Sequence, residues 1–373
     1  MRIAHIESSM HWGGQELRIV EQTEWLNAQG HLAWIIARPG AAIVEKARQK
    51  NLPVYELPIR GAFNPGTLRR LLRFIDHHDI ELLDCHGNRD ASYGAYVRWL
   101  SGIAVIRSRH ITDPLRRDAY NRLIWRRGNH GVIVTAEAIA DHIVASKLSQ
   151  RERIFVAEAG VDERRFHPKV NASALRQSLG IDPNQIVVAN IGMIRPDKGQ
   201  LEFVEASKQI LAKNPSVVCI QIGEATAHSL NYKQQVLEAA GDDLKNQRIR
   251  FLGYHDDIEQ WLALANIVVI ASIATEAKTR LVSQCFLMKK NVVATRVGGL
   301  PEMIAHRDTG LLCPANDSVE LALAVQSIID DPVLAERLRE QAYQQALETA
   351  TFGQMMDGML AVYEQALAIT QTR

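Results

Sequence analysis

Short runs of aliphatic and β-branched residues alternate with longer stretches whose apolar positions recur every three or four residues. The short runs of the first half are RIAHIES (2–8), LAWIIA (32–37), VYELPI (54–59), IELLDCH (80–86), IAVIRS (103–108), GVIVTA (131–136) and IFVAE (154–158). Those of the second half are IVVANIG (186–192), VVCIQIG (217–223), IRFLG (249–253), IVVIAS (267–272) and NVVATR (291–296). Strand-length runs separated by amphipathic, helix-length segments predict an α/β chain of parallel sheets and crossover helices. After DTGLLCP (308–314) the pattern is helical throughout, over 318–331, 332–350 and 352–369.

The chain has 373 residues, more than one ordinary core accommodates, so two domains are expected. The join falls in AEAGVDERRFHPK (157–169), between the strand at 154–158 and a new helix–strand series. We place a first Rossmann-like domain at 1–165, a second at 166–350 and a closing helix at 351–373 that crosses back to the first. Two doubly wound domains are expected to face a cleft with the carboxyl ends of both sheets, where open α/β sheets bind ligands.

Composition narrows the classes. The chain is 47% hydrophobic and 23% charged, without low-complexity tracts or solenoid repeats. No apolar run approaches a membrane span and the beginning reads as a strand, so a cytoplasmic protein is expected. The four cysteines are scattered and suit buried thiols, not a metal or disulfide framework. The net charge of +1 hides an asymmetry: residues 1–168 hold 24 Lys and Arg against 19 Asp and Glu, leaving 43 − 24 = 19 against 42 − 19 = 23 for the remainder. Seven arginines lie between Arg107 and Arg127. A solvated helix face explains them, as does a patch toward an anionic surface such as a membrane or a phosphorylated acceptor. Nucleic acid is disfavoured, because no binding motif is present and the chain as a whole is not basic.

Three stretches carry chemistry. IGMIRPDKGQ (191–200) ends a strand on Gly192 and offers Arg195 and Lys198 as a helix begins. A forked cation and a mobile one at a helix amino end suit a diphosphate that gains charge as it leaves. MHWGGQE (10–16) places Gly13 and Gly14 in a strand-to-helix turn, an anion cradle that lacks the dinucleotide fingerprint, and no acidic residue closes the second strand. The stretch 271–314 places Glu276 after a strand, where a carboxylate accepts hydrogen bonds from sugar hydroxyls. It also places Gln284 two turns into a helix, where an amide reaches a vicinal diol, and the amides of Lys278, Thr279 and Arg280 at that helix's start. HDD (255–257) has metal-ligand residue types, but Asp at a helix start is expected as a cap.

These motifs in this order resemble the retaining glycosyltransferases of family 4, of the GT-B fold. The resemblance runs almost end to end, through GGQE (13–16), AGVDERRFHP (159–168), GMIRPDKG (192–199), EAKTRLVSQ (276–284) and VGGLPEMI with DTGLL (297–312). It implies that Arg195 and Lys198 hold and stabilise the nucleotide diphosphate, that Glu276 contacts the donor sugar and Gln284 the ribose, and that the Gly13–Gly14 loop lies beside the phosphates. It implies that His110 approaches the donor sugar, and that His86 lies toward the acceptor; Arg109 and Arg116 are placed there with it. No cofactor or metal is implied. The partners are a nucleotide-sugar donor, with UDP the expected carrier, a glycan or lipid-linked acceptor of bacterial envelope polysaccharide, and an anionic membrane face through Arg107–Arg127.

The sequence departs from the family pattern in three places. The usual Glu-x7-Glu pair is Glu276-x7-Gln284, the loop after Glu276 is AKTR where relatives are Gly-rich, and Ala159 replaces a linker Asn. The rival readings are an epimerase of the same fold, a phosphorylase-like enzyme and a non-catalytic nucleotide-sugar binder.

Overall fold

The computed structural model describes residues 1–110, 118–157, 160–274, 276 and 278–371. Two compact units divide the chain, one taking Met1–Glu158 and Met355–Arg373 and the other Ala159–Gln354. Arg116 and Ala159 lie outside the described residues.

The first unit is built on seven parallel strands: β1 (Arg2–Glu7), β2 (Leu32–Ala37), β3 (Val54–Glu56), β4 (Leu82–Cys85), β5 (Ala104–Arg109), β6 (Gly131–Val134) and β7 (Ile154–Val156). Their order is β3-β2-β1-β4-β5-β6-β7. The second unit has β8 (Ile186–Ile191), β9 (Val217–Ile222), β10 (Ile249–Phe251), β11 (Ile267–Ile270), β12 (Asn291–Thr295) and β13 (Leu311–Cys313), in the order β10-β9-β8-β11-β12-β13. Every pairing is parallel. β13 falls outside the predicted strands: its run LLC has no β-branched residue and is closed by Pro314, whereas the equally short β3, β7 and β10 each carry Val or Ile.

The strand sequences are apolar without alternation because both faces of each sheet are covered. In β8, Val187 and Ala189 pack into one cluster and Val188 into another, and in β11 Val268 and Ile270 part from Ile267 and Val269 in the same way. Helix ends follow local chemistry. The helix Pro65–His77 starts where the Asn64 side chain accepts from the Thr67 amide at 3.0 Å, with Pro65 in the first turn. Its apolar stripe, Leu68, Leu71, Phe74 and Ile75, is buried; each such side chain contributes roughly 1.5–3 kcal/mol. The helix Phe352–Gln371 buries Met356, Met359 and Tyr363.

In each sheet the winding reverses once, between β1 and β4 in the first unit and between β8 and β11 in the second. Neighbouring strand ends there lead to opposite faces, leaving a crevice at their carboxyl ends.

Candidate active site

The crevice between β8 and β11 opens into a cavity of about 330 Å³, with Asn190, Gly192, Lys198, Ser272, Glu276 and Gln284 in its lining. Lys198 Nζ donates to both oxygens of Glu276, at 2.8 and 2.6 Å, and Ser272 Oγ donates to Oε2 at 2.5 Å. A cation and a carboxylate acceptor therefore share one pocket wall.

Backbone proximity explains why these two residues meet. Gly199, directly after Lys198, has φ +67°, and a Cβ there would lie 1.9 Å from the Ala271 carbonyl oxygen, so only glycine lets the Lys198 turn press against the end of β11. The Ile273 amide donates to the Asp197 carbonyl at 3.0 Å and joins the two loops. Gly298, with φ +54°, does the same for Glu276: a Cβ would sit 2.0 Å from the Glu276 carbonyl oxygen, which accepts from the Gly299 amide at 2.8 Å. Gln200, buried, braces the loop ahead of Lys198 by donating to the Met193 carbonyl at 3.0 Å and accepting from the Arg195 amide at 3.3 Å.

The other expected donor residues divide. Gly192 and Gln284 line the cavity, as do Thr279 and Arg280. Thr279 caps the helix Arg280–Leu287 through its side chain, which accepts from the Leu281 amide at 3.3 Å. The Arg280 guanidinium donates to the Gly160 carbonyl at 2.8 Å. Lys278 pairs with Glu302 at 3.1 Å. Arg195 is not in the lining: its guanidinium grips Asp197 through Nε at 3.0 Å and Nη2 at 2.5 Å, and holds that carboxyl below the usual range. In this arrangement an aspartate two residues away holds the Arg195 guanidinium, whereas Lys198 faces the cavity. Asp257, expected as a helix cap, instead accepts from the Trp261 indole at 3.2 Å, without a capping bond.

In the first unit the crevice between β1 and β4 holds a row of buried polar side chains. His5 on β1 stands opposite Asp84 on β4. His5 Nδ1 lies 3.1 Å from His86 Nε2, and His86 Nδ1 lies 3.0 Å from His110 Nε2. Asp84 accepts from Ser108 Oγ at 2.8 Å and from Tyr363 Oη at 2.6 Å. Burial lowers the pKa of all three imidazoles, that of His86 to about 4, so the rings are neutral. His110 is half-buried, whereas the His86 side chain is fully enclosed with both nitrogens engaged. The outward contact of His86 is thus His110. Ligand-type atoms of His5, Asp84 and His86 lie within 4.8 Å of one another, the one such cluster among the described residues; the ring-to-ring hydrogen bond accounts for the histidine pair.

Beside this row, the Gly13–Gly14 turn starts the helix Gly14–Ala28, with Gly13 in extended backbone. Beneath it lie two buried carboxyls. Burial, then the charge of Asp90, raises Glu7, and burial raises Asp90, which accepts from the Gly87 amide at 2.7 Å.

The arginine-rich stretch separates into two sets. Arg107 and Arg109 are buried on β5, apart from the exposed arginines that follow. Arg107 lies 3.5 Å over the Trp125 ring and donates to Asn88 at 2.6 Å; burial, then Arg109, pulls its pKa down to about 9. Arg122, Arg126 and Arg127 are exposed, and Arg126 donates to the Lys147 carbonyl at 3.1 and 2.8 Å. All four cysteines are buried thiols. No helix among the described residues is long and apolar enough to cross a membrane.

Sequence reasoning missed His5, Asp84, Ser272 and Gln200. A polar residue inside an otherwise apolar central strand was the available signal for the first two.

Two such parallel sheets in one chain are the architecture of the GT-B fold, shared with the solved structures this chain resembles. The Glycosyltransferase Family 4 pattern matches residues 12–165 and the Glycosyl transferases group 1 pattern residues 171–345. The chain belongs to this family and is a glycosyltransferase. The D-inositol 3-phosphate glycosyltransferase of Pseudarthrobacter chlorophenolicus is 26% identical over 76% of this chain and 70% of its own. Two Rhodococcus enzymes of that name are matched over 57% and 56% of their length. The lipopolysaccharide core mannosyltransferase LpsB of Rhizobium meliloti is 28% identical over 46% of this chain and 49% of its own. Among solved structures, Anabaena HepE in complex with UDP superposes with a TM-score of 0.79 over 98% of this chain and 100% of its own, at 22% identity.

Proposed function

We propose that the protein transfers a sugar from a nucleoside diphosphate carrier, UDP, to a hydroxyl of a glycan or lipid-linked acceptor in envelope polysaccharide synthesis, with retention of anomeric configuration. The observation that carries this reading is the Lys198–Glu276 pair in the cavity at the reversal of the second sheet. Lys198 offers its charge to the diphosphate, while Glu276 accepts from donor-sugar hydroxyls. Gln284 bonds the ribose, and the amides of 278–280 hold a phosphate. Arg195 joins by exchanging Asp197 for the diphosphate. UDP as carrier is supported by the HepE complex, and an envelope acceptor by the name of LpsB.

Glu276 has a lysine and a serine against it, not a second carboxylate. Retaining glycosidases use two carboxylates about 5–5.5 Å apart; Glu276, tied up by Lys198 and Ser272, is poorly placed as a nucleophile, and a front-face transfer is the better fit. The bond from the anomeric carbon to the phosphate oxygen breaks, and the acceptor oxygen bonds to that carbon from the same face. The acceptor's proton passes to the departing phosphate. The protein positions the reactants and favours the charge on the leaving group. His110 meets the donor sugar. Exposed Arg122, Arg126 and Arg127, with Leu123 between them, present a basic face to an anionic membrane.

The test is transfer of labelled sugar from UDP-glucose, UDP-galactose or UDP-N-acetylglucosamine into a bacterial glycolipid extract, with the new linkage read by NMR. A retained anomer supports the reading; an inverted one refutes the front-face route.

A further inference from the structure

The histidine row has a direction. Burial disfavours a charge on each of the three rings, and a neutral imidazole carries one N–H and one lone pair. The two nitrogen–nitrogen contacts, 3.1 Å from His5 to His86 and 3.0 Å from His86 to His110, each need one donor and one acceptor. With His86 in the middle, only two arrangements satisfy both links. In the outward one, His5 Nδ1–H donates to His86 Nε2 and His86 Nδ1–H donates to His110 Nε2. In the inward one every bond is reversed.

One observation breaks the tie. His5 Nε2 is buried and has no hydrogen-bond partner among the described residues. The outward arrangement leaves a lone pair there, whereas the inward one strands an N–H, the rarer and costlier orphan in a protein interior. Asp84 Oδ2 lies 3.6 Å from His5 Nδ1 and 3.8 Å from His86 Nε2, so it faces the shared proton in either arrangement and stabilises the link without choosing its direction. Asp84 is itself fixed by Ser108 and by Tyr363 of the helix Phe352–Gln371.

We infer that Asp84, His5 and His86 form a polarised hydrogen-bond row that holds His110 as the Nδ1–H tautomer, accepting at Nε2 and donating at Nδ1. Free histidine prefers the opposite tautomer, and the bond made by one ring nitrogen decides the state of the other. His110 is thereby set as a hydrogen-bond donor toward what it meets, and it does not act as a base at Nδ1. His5, His86 and Asp84 are positioning residues. The tautomer assignment stands without the transferase reading; only its catalytic consequence, a donor aimed at a sugar or phosphate oxygen, rests on it.

The experiment is a long-range ¹H–¹⁵N correlation of the histidine rings in the full chain at pH 7.5, with His110 assigned by its disappearance in His110→Gln. The expected spectrum has His110 and His86 protonated at Nδ1 and bare at Nε2. His110 protonated at Nε2, or charged, overturns the inference. So does one equivalent of zinc retained on His5, Asp84 and His86, because a metallated Nδ1 cannot donate. His86→Phe cuts the row and should return His110 to the Nε2–H form, with kcat of sugar transfer reduced and KM for the donor unchanged. A folded His86→Phe protein in which His110 keeps its Nδ1 proton also overturns it, and if that variant does not fold, the wild-type spectrum decides alone. Loss of the activity difference with the expected tautomers intact would count against the transferase reading and not against the row.

Discussion

Lys198 and Glu276 are 78 positions apart in sequence and meet at 2.6 Å, Nζ to Oε2, in the wall of the second unit's cavity. Neither strand carries them; each stands on a loop pressed close by a glycine at positive φ. Removing Lys198 leaves a carboxylate with 10% of its side chain exposed and Ser272 beside it. Lys198→Ala should therefore lower stability by about 1–3 kcal/mol and transfer by about 10²–10³ in kcat. Urea denaturation and steady-state kinetics check the two separately, and Glu276→Gln added to Lys198→Ala should restore part of the stability and none of the rate.

Gly298→Ala tests whether the backbone places Glu276. The added methyl would meet the Glu276 carbonyl oxygen at 2.0 Å, so the loop must move or the residue must strain. Strain of this kind costs on the order of 1–3 kcal/mol. The variant should fold with a lowered Tm and lose transfer nearly as far as Glu276→Ala, although position 298 carries no chemistry. Unchanged kinetics would show that Glu276 is placed by other means.

Acid should destabilise the first unit through its histidines. Burial lowers His86 from 6.5 to about 4, so between these values the unfolded chain holds a proton that the folded chain lacks. Stability therefore rises with pH across this window and is lost as pH falls from about 6.5 toward 4, by about 1.4 kcal/mol per pH unit for each such ring. His5 is shifted in the same direction. Denaturation midpoints measured from pH 4 to 7 should show this slope, and it should flatten in His86→Gln.

Glu7 gives the opposite sign. Its folded pKa is raised from 4.5 to about 8, so above 4.5 the folded state keeps a proton that the unfolded state has released. Its contribution to stability falls as pH rises through that range. Glu7→Gln should match wild type near pH 4 and exceed it in stability at pH 9; equal stability at pH 9 would mean that the carboxyl is not held neutral.

The strand runs made both sheets legible because fully covered parallel strands leave a nearly continuous apolar pattern, as IVVI shows. β13 was not legible, since Leu311–Cys313 carries no β-branched residue and runs straight into Pro314. At the site, Lys198, Glu276 and Gln284 were readable from motif order. The separation of Arg195 from Lys198 was not, because it depends on the orientation of Asp197 within the turn. The burial of Arg107 and Arg109 was not legible, because a charge count does not say whether a strand's side chains are covered. His5 and Asp84 could have been flagged as polar residues in central strands, but their meeting is a matter of register between β1 and β4.

The most direct test of the central claim is titration calorimetry of UDP, GDP and ADP into wild type and Lys198→Ala, with and without EDTA. The account predicts that one nucleoside diphosphate, UDP, binds at a single site. It predicts that EDTA leaves this binding unchanged, and that Lys198→Ala weakens it about tenfold or more, roughly 1.4 kcal/mol. No binding by any of the three, or equal binding by the variant, would contradict the assignment of this cavity to the donor.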